Sequence, residues 1–190
     1  MSTEDLETTY ELIGRLYAVD DLDDSGAAMQ LSRDLIERGN SNSWASVWWA
    51  YGALNFDLSD EAWDEALRLL SRVDHPPEAQ GAAKMLTAAV EATISIYSGA
   101  AADPERQVAL HKEALSFCPD WPKIHLLLGQ YLRKMGRDTE AKAAIARAID
   151  LVRRDHGNLD VVDRTFAGYD MSNQYLRDTA RDFGIQIDVE

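Results

Sequence analysis

Apolar residues recur three and four positions apart along much of this chain, the period of helices that bury one face. The clearest stretch runs from Trp121 to Leu151. Pro122 stands at a first-turn position where its missing N–H costs nothing, Ile124, Leu127, Leu128 and Leu132 mark one face, and Gly136 can adopt the left-handed conformation that ends a helix. After Arg137-Asp138, Thr139 and Glu140 open a second helix whose buried face is Ala141, Ala144, Ile145, Ala148, Ile149 and Val152. Two amphipathic helices this close in sequence pack antiparallel.

The rest of the chain repeats this grammar more loosely. First helices are predicted near Glu4–Ala18, Trp44–Phe56, Pro77–Tyr97, Pro122–Met135 and Leu159–Ala167. Second helices are predicted near Gly26–Arg38, Asp60–Val73, Pro104–Phe117, Thr139–Asp155 and Ser172–Phe183. Ser25, Ser59 and the Asp103-Pro104-Glu105 run read as helix entries, and Gly39 and Gly184 as exits. Equivalent starts lie roughly 33 to 45 residues apart, a period that suits stacked helical hairpins, and about five of them fit.

Within Trp121–Leu151 the sequence resembles a tetratricopeptide repeat. Leu128-Gly129 matches that family's Leu-Gly pair, Gly136 its turn, Ala141 and Ala148 its two small sites, and Ile145 the large apolar slot between them. His125 and Leu132 depart from the family's Trp and Tyr, so this is a divergent member. Gly14, Gly52 and the Ala62–Leu70 stretch around Ala66 resemble parts of other repeats, whereas Gln107 stands where the family places Ala. The resemblance implies an all-α, right-handed superhelical solenoid of about five antiparallel hairpins, forming one domain over residues 1–190. A C-terminal capping helix and short tail would occupy residues 159–190. It also implies a concave surface lined by first helices, with Lys123, Leu126, Gln130, Arg133 and Lys134 on the groove face of the best repeat. Leu126 and Gln130 replace members of the Lys and Asn clamp by which some of these repeats hold a terminal carboxylate, which argues against that particular role. Arg133 and Lys134 can either pair with an acidic group or complement the helix dipole.

Aromatic residues add a second candidate contact. Trp44, Trp48, Trp49 and Tyr51 cluster on one predicted helix, which places Trp44 and Trp48 on one face and rotates Trp49 and Tyr51 away. Core packing is the default for such residues, but an exposed Trp48 or Trp49 would anchor a peptide.

A net charge of −14 disfavours nucleic acid and anionic membranes and favours a basic or neutral protein or peptide partner. Basic residues concentrate in the second half, among them Lys112, Arg137, Lys142, Arg147, Arg153 and Arg154. There is no apolar run of membrane-spanning length and the acidic start lacks a signal-peptide pattern, so a cytoplasmic location is expected. Cys118 is the single cysteine and reads as a packing residue. Asp21, Asp23, Ser25 and Gly26 imitate the start of a calcium loop, but Ser32 stands where its bidentate Glu is required. His75, His111, His125 and His156 show no metal-ligand spacing, and no nucleophile or phosphate-loop motif occurs. No catalytic residue, metal or cofactor is therefore assigned. The expected function is a non-enzymatic adaptor that binds a peptide or helical segment in a groove. The alternative is an acidic inhibitor or immunity-type protein that sequesters a basic enzyme.

Overall fold

The computed structural model describes residues 9–14, 16, 22–40, 43–57, 59–156 and 173–185, and every regular element among them is helical. Helix α1 covers residues 9–14. It is followed by α2 (Leu22–Glu37), α3 (Trp44–Asn55), α4 (Asp60–Leu70), α5 (Pro77–Tyr97), α6 (Pro104–Phe117), α7 (Pro122–Lys134), α8 (Asp138–His156) and α9 (Asn173–Asp182). The chain divides into two compact units, Met1–Ala102 and Asp103–Glu190.

Local chemistry sets these boundaries. Pro77, Pro104 and Pro122 occupy first-turn positions of α5, α6 and α7, where no amide donor is needed. Ser59 accepts a hydrogen bond from the Ala62 amide at 3.3 Å, and Asp103 one from the Glu105 amide at 3.0 Å. At the end of α7, Gly136 has φ +72°; its amide donates to the Arg133 carbonyl while the Arg137 amide reaches the Leu132 carbonyl. That is a Schellman motif, and the same paired bonds close α2, α5 and α9 at Gly39, Gly99 and Gly184.

One predicted boundary is wrong. Helix α2 starts at Leu22, so Ser25 lies inside it, buried, instead of capping it. Continuous helix from Leu22 also removes the irregular backbone that a calcium loop needs. Ser32 is buried in this helix and donates to the Ala28 carbonyl at 2.8 Å. The helix expected over Leu159–Ala167 lies outside the described residues.

In the first unit α2 packs on α3, α3 on α4 and α4 on α5, and α3 also touches α5. With that many neighbours α3 buries residues all round, including Val47, Trp49, Tyr51 and Gly52. Gly14 of α1 meets the Trp48 ring, since a Cβ there would stand 3.2 Å from Trp48 Cζ2.

In the second unit α6 packs on α7, α7 on α8 and α8 on α9. Leu126, Leu128 and Leu132 of α7 join Ala141, Ala144, Ile145, Ala148 and Ile149 of α8, with Ala180 and Phe183 completing the core. Gly129 fixes the closest approach. A Cβ on it would fall 2.6 Å from Ile145 Cδ1, 2.8 Å from Ile145 Cγ1 and 3.1 Å from the Ala141 carbonyl oxygen. Ile145 is completely buried and its Cγ1 is not a free chain end, so neither contact can yield cheaply.

Two glycine substitutions therefore have opposite expected signs. Gly129→Ala should lower stability by up to about 2 kcal/mol, because the contacts at 2.6 and 2.8 Å put overpacking toward the upper part of its usual range of about 1–3 kcal/mol, above the helix-propensity gain of about 1 kcal/mol. Gly26, exposed inside α2 with nothing near its missing Cβ, should gain about 0.5–1 kcal/mol on replacement by Ala. Urea denaturation followed by circular dichroism measures both.

Candidate functional site

Helix α7 spends one face on α8 and presents another. Leu128, Gly129 and Leu132 are buried, whereas Lys123 and Gln130 are half-buried and Arg133 and Lys134 exposed. Leu126 differs from the expectation: at 2% exposure it belongs to the core and presents no surface. The reason is that α7 also packs on α6, so its apolar stripe is wider than the α8 contact alone requires.

The two cations at the end of α7 rest on aromatic rings. The Arg133 guanidinium carbon lies 4.6 Å from the ring of Phe183, the residue after α9, and Lys134 Nζ lies 4.7 Å from the Tyr131 ring. Among the described residues neither has a carboxylate partner. Several other arginines of this unit are paired, while Lys112, Lys142 and Arg153, like these two, have no ion pair among the described residues. Arg137 donates to both oxygens of Glu140 at 2.7 and 2.6 Å, and Asp120 takes Arg147 at 2.9 Å and Arg154 at 3.5 Å. Arg181 meets Asp178 at 3.1 Å. The basic second half is thus neutralised in part, and Arg133 and Lys134 are distinguished within it by the rings they rest on.

Behind Tyr131 lies a buried polar pair on α6. Gln107 and His111 are both almost fully buried, and the His111 ring sits 5.5 Å from the half-buried Tyr131 ring. His111 Nδ1 is 2.7 Å from the Gln107 carbonyl, which can only accept, so Nδ1 carries the proton and Nε2 is left as an acceptor. Neither His111 Nε2 nor Gln107 Oε1 has a partner among the described residues. Burial pushes the His111 pKa below the ordinary histidine value, with the Gln107 hydrogen bond opposing it, and pushes the Tyr131 pKa up. The sequence signal for this pair was Gln107 in a position where the resemblance implies Ala, with His111 one turn further on; the periodicity alone did not single it out.

His125 has a structural task. Its Nε2 donates to the Pro119 carbonyl at 2.8 Å across the α6–α7 turn, and burial, then the neighbouring Arg147, lowers its pKa against the pull of that bond and of Asp120. Cys118 is buried beside this turn. Among the described residues no three His, Cys, Asp or Glu side chains gather closely enough to hold a metal ion, and no described helix is long and apolar enough to cross a membrane.

The aromatic candidates in the first unit separate. Trp49 is 3% exposed and belongs to the core, with the Arg33 guanidinium carbon 5.2 Å from its ring. Burial of Trp49 corrects its reading as a groove anchor, because α3 is enclosed on several sides and not on one. Trp48 is half-buried, with Trp44 at 6.3 Å and Tyr51 edge-on at 6.0 Å between ring centroids. No protein-family model, curated protein or solved structure matches the chain.

The lowered pKa of His111 has a defined consequence for stability. The folded state binds its proton more weakly than the unfolded chain, so the contribution is fully present above pH about 6.5 and is lost as pH falls from there toward the folded-state pKa. Each such group adds a slope of at most about 1.4 kcal/mol per pH unit, and His125 acts with the same sign. Denaturation midpoints measured from pH 7.5 to 5 should fall, and His111→Gln should flatten the curve. An unchanged slope in that variant would contradict the assignment.

Proposed function

We propose that the chain is a divergent tetratricopeptide-like solenoid whose helical hairpins present a surface for a peptide or helical segment of another protein, making it a non-enzymatic adaptor. The observation that carries this reading is the division of labour on α7. Its small and apolar residues are consumed by α6 and α8, while Lys123 and Gln130 stay half-buried and Arg133 and Lys134 exposed. A helix held by Gly129 in tight packing is a stiff platform, and a stiff platform reduces the ordering cost of binding. Register with the repeat pattern at Leu128, Gly129, Gly136, Ala141, Ile145 and Ala148 supports the same reading, and the right-handed superhelix and five-hairpin count belong to it.

The net charge of −14 favours a second reading, an acidic inhibitor that sequesters a basic enzyme. The two readings separate experimentally. Affinity capture from native extract at two salt concentrations should retain a partner that is lost when Lys123, Gln130, Arg133 and Lys134 are together replaced by Ala. An inhibitor steered by charge would instead associate at a rate that falls steeply with ionic strength and would ignore the α7 variant.

A further inference from the structure

We infer that the segment held on α7 is acidic and that Arg133 and Lys134 receive its carboxylates. This rests on the reading of α7 as the binding face and adds the chemistry of what that face takes. The chain carries 33 acidic against 19 basic residues, yet not every cation is paired: among the described residues of this unit Lys112, Lys142 and Arg153 also lack an ion pair, without a ring beneath them. Arg137, Arg147, Arg154 and Arg181 have each found a carboxylate partner. Arg133 and Lys134 instead lie on Phe183 and Tyr131, without an ion pair among the described residues.

A cation placed against a ring is already restrained in its rotamers, yet its N–H donors remain open to an incoming anion. Part of the entropy that an exposed ion pair must lose is therefore lost before the ligand arrives. Phe183 is itself buried in the core of the unit and Tyr131 is packed against His111, so both supports are stiff. Successive residues on a helix diverge by about 100°, and the two cations use different rings, so they make two points of contact and not one. Two carboxylates along one short segment match that arrangement.

The net charge selects among anions. Repulsion from a field of −14 grows with the charge of the ligand, which penalises nucleic acid and phosphodianions more than single carboxylates. A short acidic peptide is the anion that two cations can hold against it.

The test uses the full chain labelled with ¹⁵N and ¹³C, observing the arginine Nε–H and lysine Cε–H signals. The probe is the peptide acetyl-Glu-Ala-Glu-Ala-Glu-amide, with the Gln-for-Glu and phosphoserine-for-Glu peptides as comparisons. Arg133 and Lys134 should respond at tenfold or lower peptide concentration than Arg137 and Arg147. Arg133→Gln with Lys134→Gln should weaken the Glu peptide at least tenfold and leave the fold, read by circular dichroism, unchanged. Equal responses to the Glu and Gln peptides, or responses led by Arg137 and Arg147, would overturn the inference, and so would tighter binding of the phosphoserine peptide. Should the Gln peptide still shift the Lys123 and Gln130 amides, the binding face stands and only its acid preference fails. Engagement of the Glu peptide without any α7-dependent capture of a cellular partner would count against the adaptor reading alone.

Discussion

The absence of one β-carbon, at Gly129, governs the second unit. With Ile145 Cδ1 2.6 Å from where that atom would be and the Ala141 carbonyl at 3.1 Å, α7 and α8 lie as near as backbone permits. Ile145 fills the groove that the glycine leaves, and Ala141 and Ala148, both fully buried, keep the rest of the α8 face low enough to follow. Close approach of this kind converts many small dispersion contacts into a rigid seam. Helix α9 then packs on α8, and the buried Phe183 at its end supplies the ring on which Arg133 rests. The position of a charged group at the surface is thus set, through two helix contacts, by an atom that is missing.

The end of α7 adds a second constraint. The Schellman bonds at Gly136 and Arg137 occupy carbonyls of the final turn, so Arg133 and Lys134 are not needed to cap the helix with their side chains. Their charges still favour the negative end of the dipole. Capping by backbone and complementing by charge leave the side-chain donors uncommitted, which is the condition for a recognition role. Arg137, one residue past the turn, is already held by Glu140 through two hydrogen bonds and is not in that condition.

Helix positions were legible because proline, serine, aspartate and glycine act locally: the starts at Trp44, Asp60, Pro77, Pro104 and Pro122 coincide with those observed. The contact of Gly129 with α8 was legible for the same reason, since a glycine between apolar residues in mid-helix has few uses other than close packing. Exposure was less legible. Whether Trp49 and Leu126 face water depends on how many neighbours their helices have, and α3, with α2, α4 and α5 around it, has no polar stripe by which a reader could tell. Ser25 misled because a serine before a periodic run reads as a cap whether the helix begins there or one turn earlier. The placement of Arg133 on Phe183 joins residues fifty positions apart, beyond the reach of any periodic pattern.

Buried Gln107 and His111 complete the argument about α7. An unpaired buried acceptor costs about 1–3 kcal/mol, so apolar residues at these positions would hold α6 more firmly. What the polar pair supplies instead is a neutral, proton-defined imidazole against Tyr131, the ring that also carries Lys134. Because burial keeps His111 uncharged near neutral pH, Lys134 is the cation that Tyr131 accommodates, and the ring's electron-rich face is not shared with an imidazolium. Protonating His111 would set a second positive charge against the same ring and weaken the hold on the first. The polar core of the α6–α7 contact and the charged surface of α7 therefore meet at a single tyrosine.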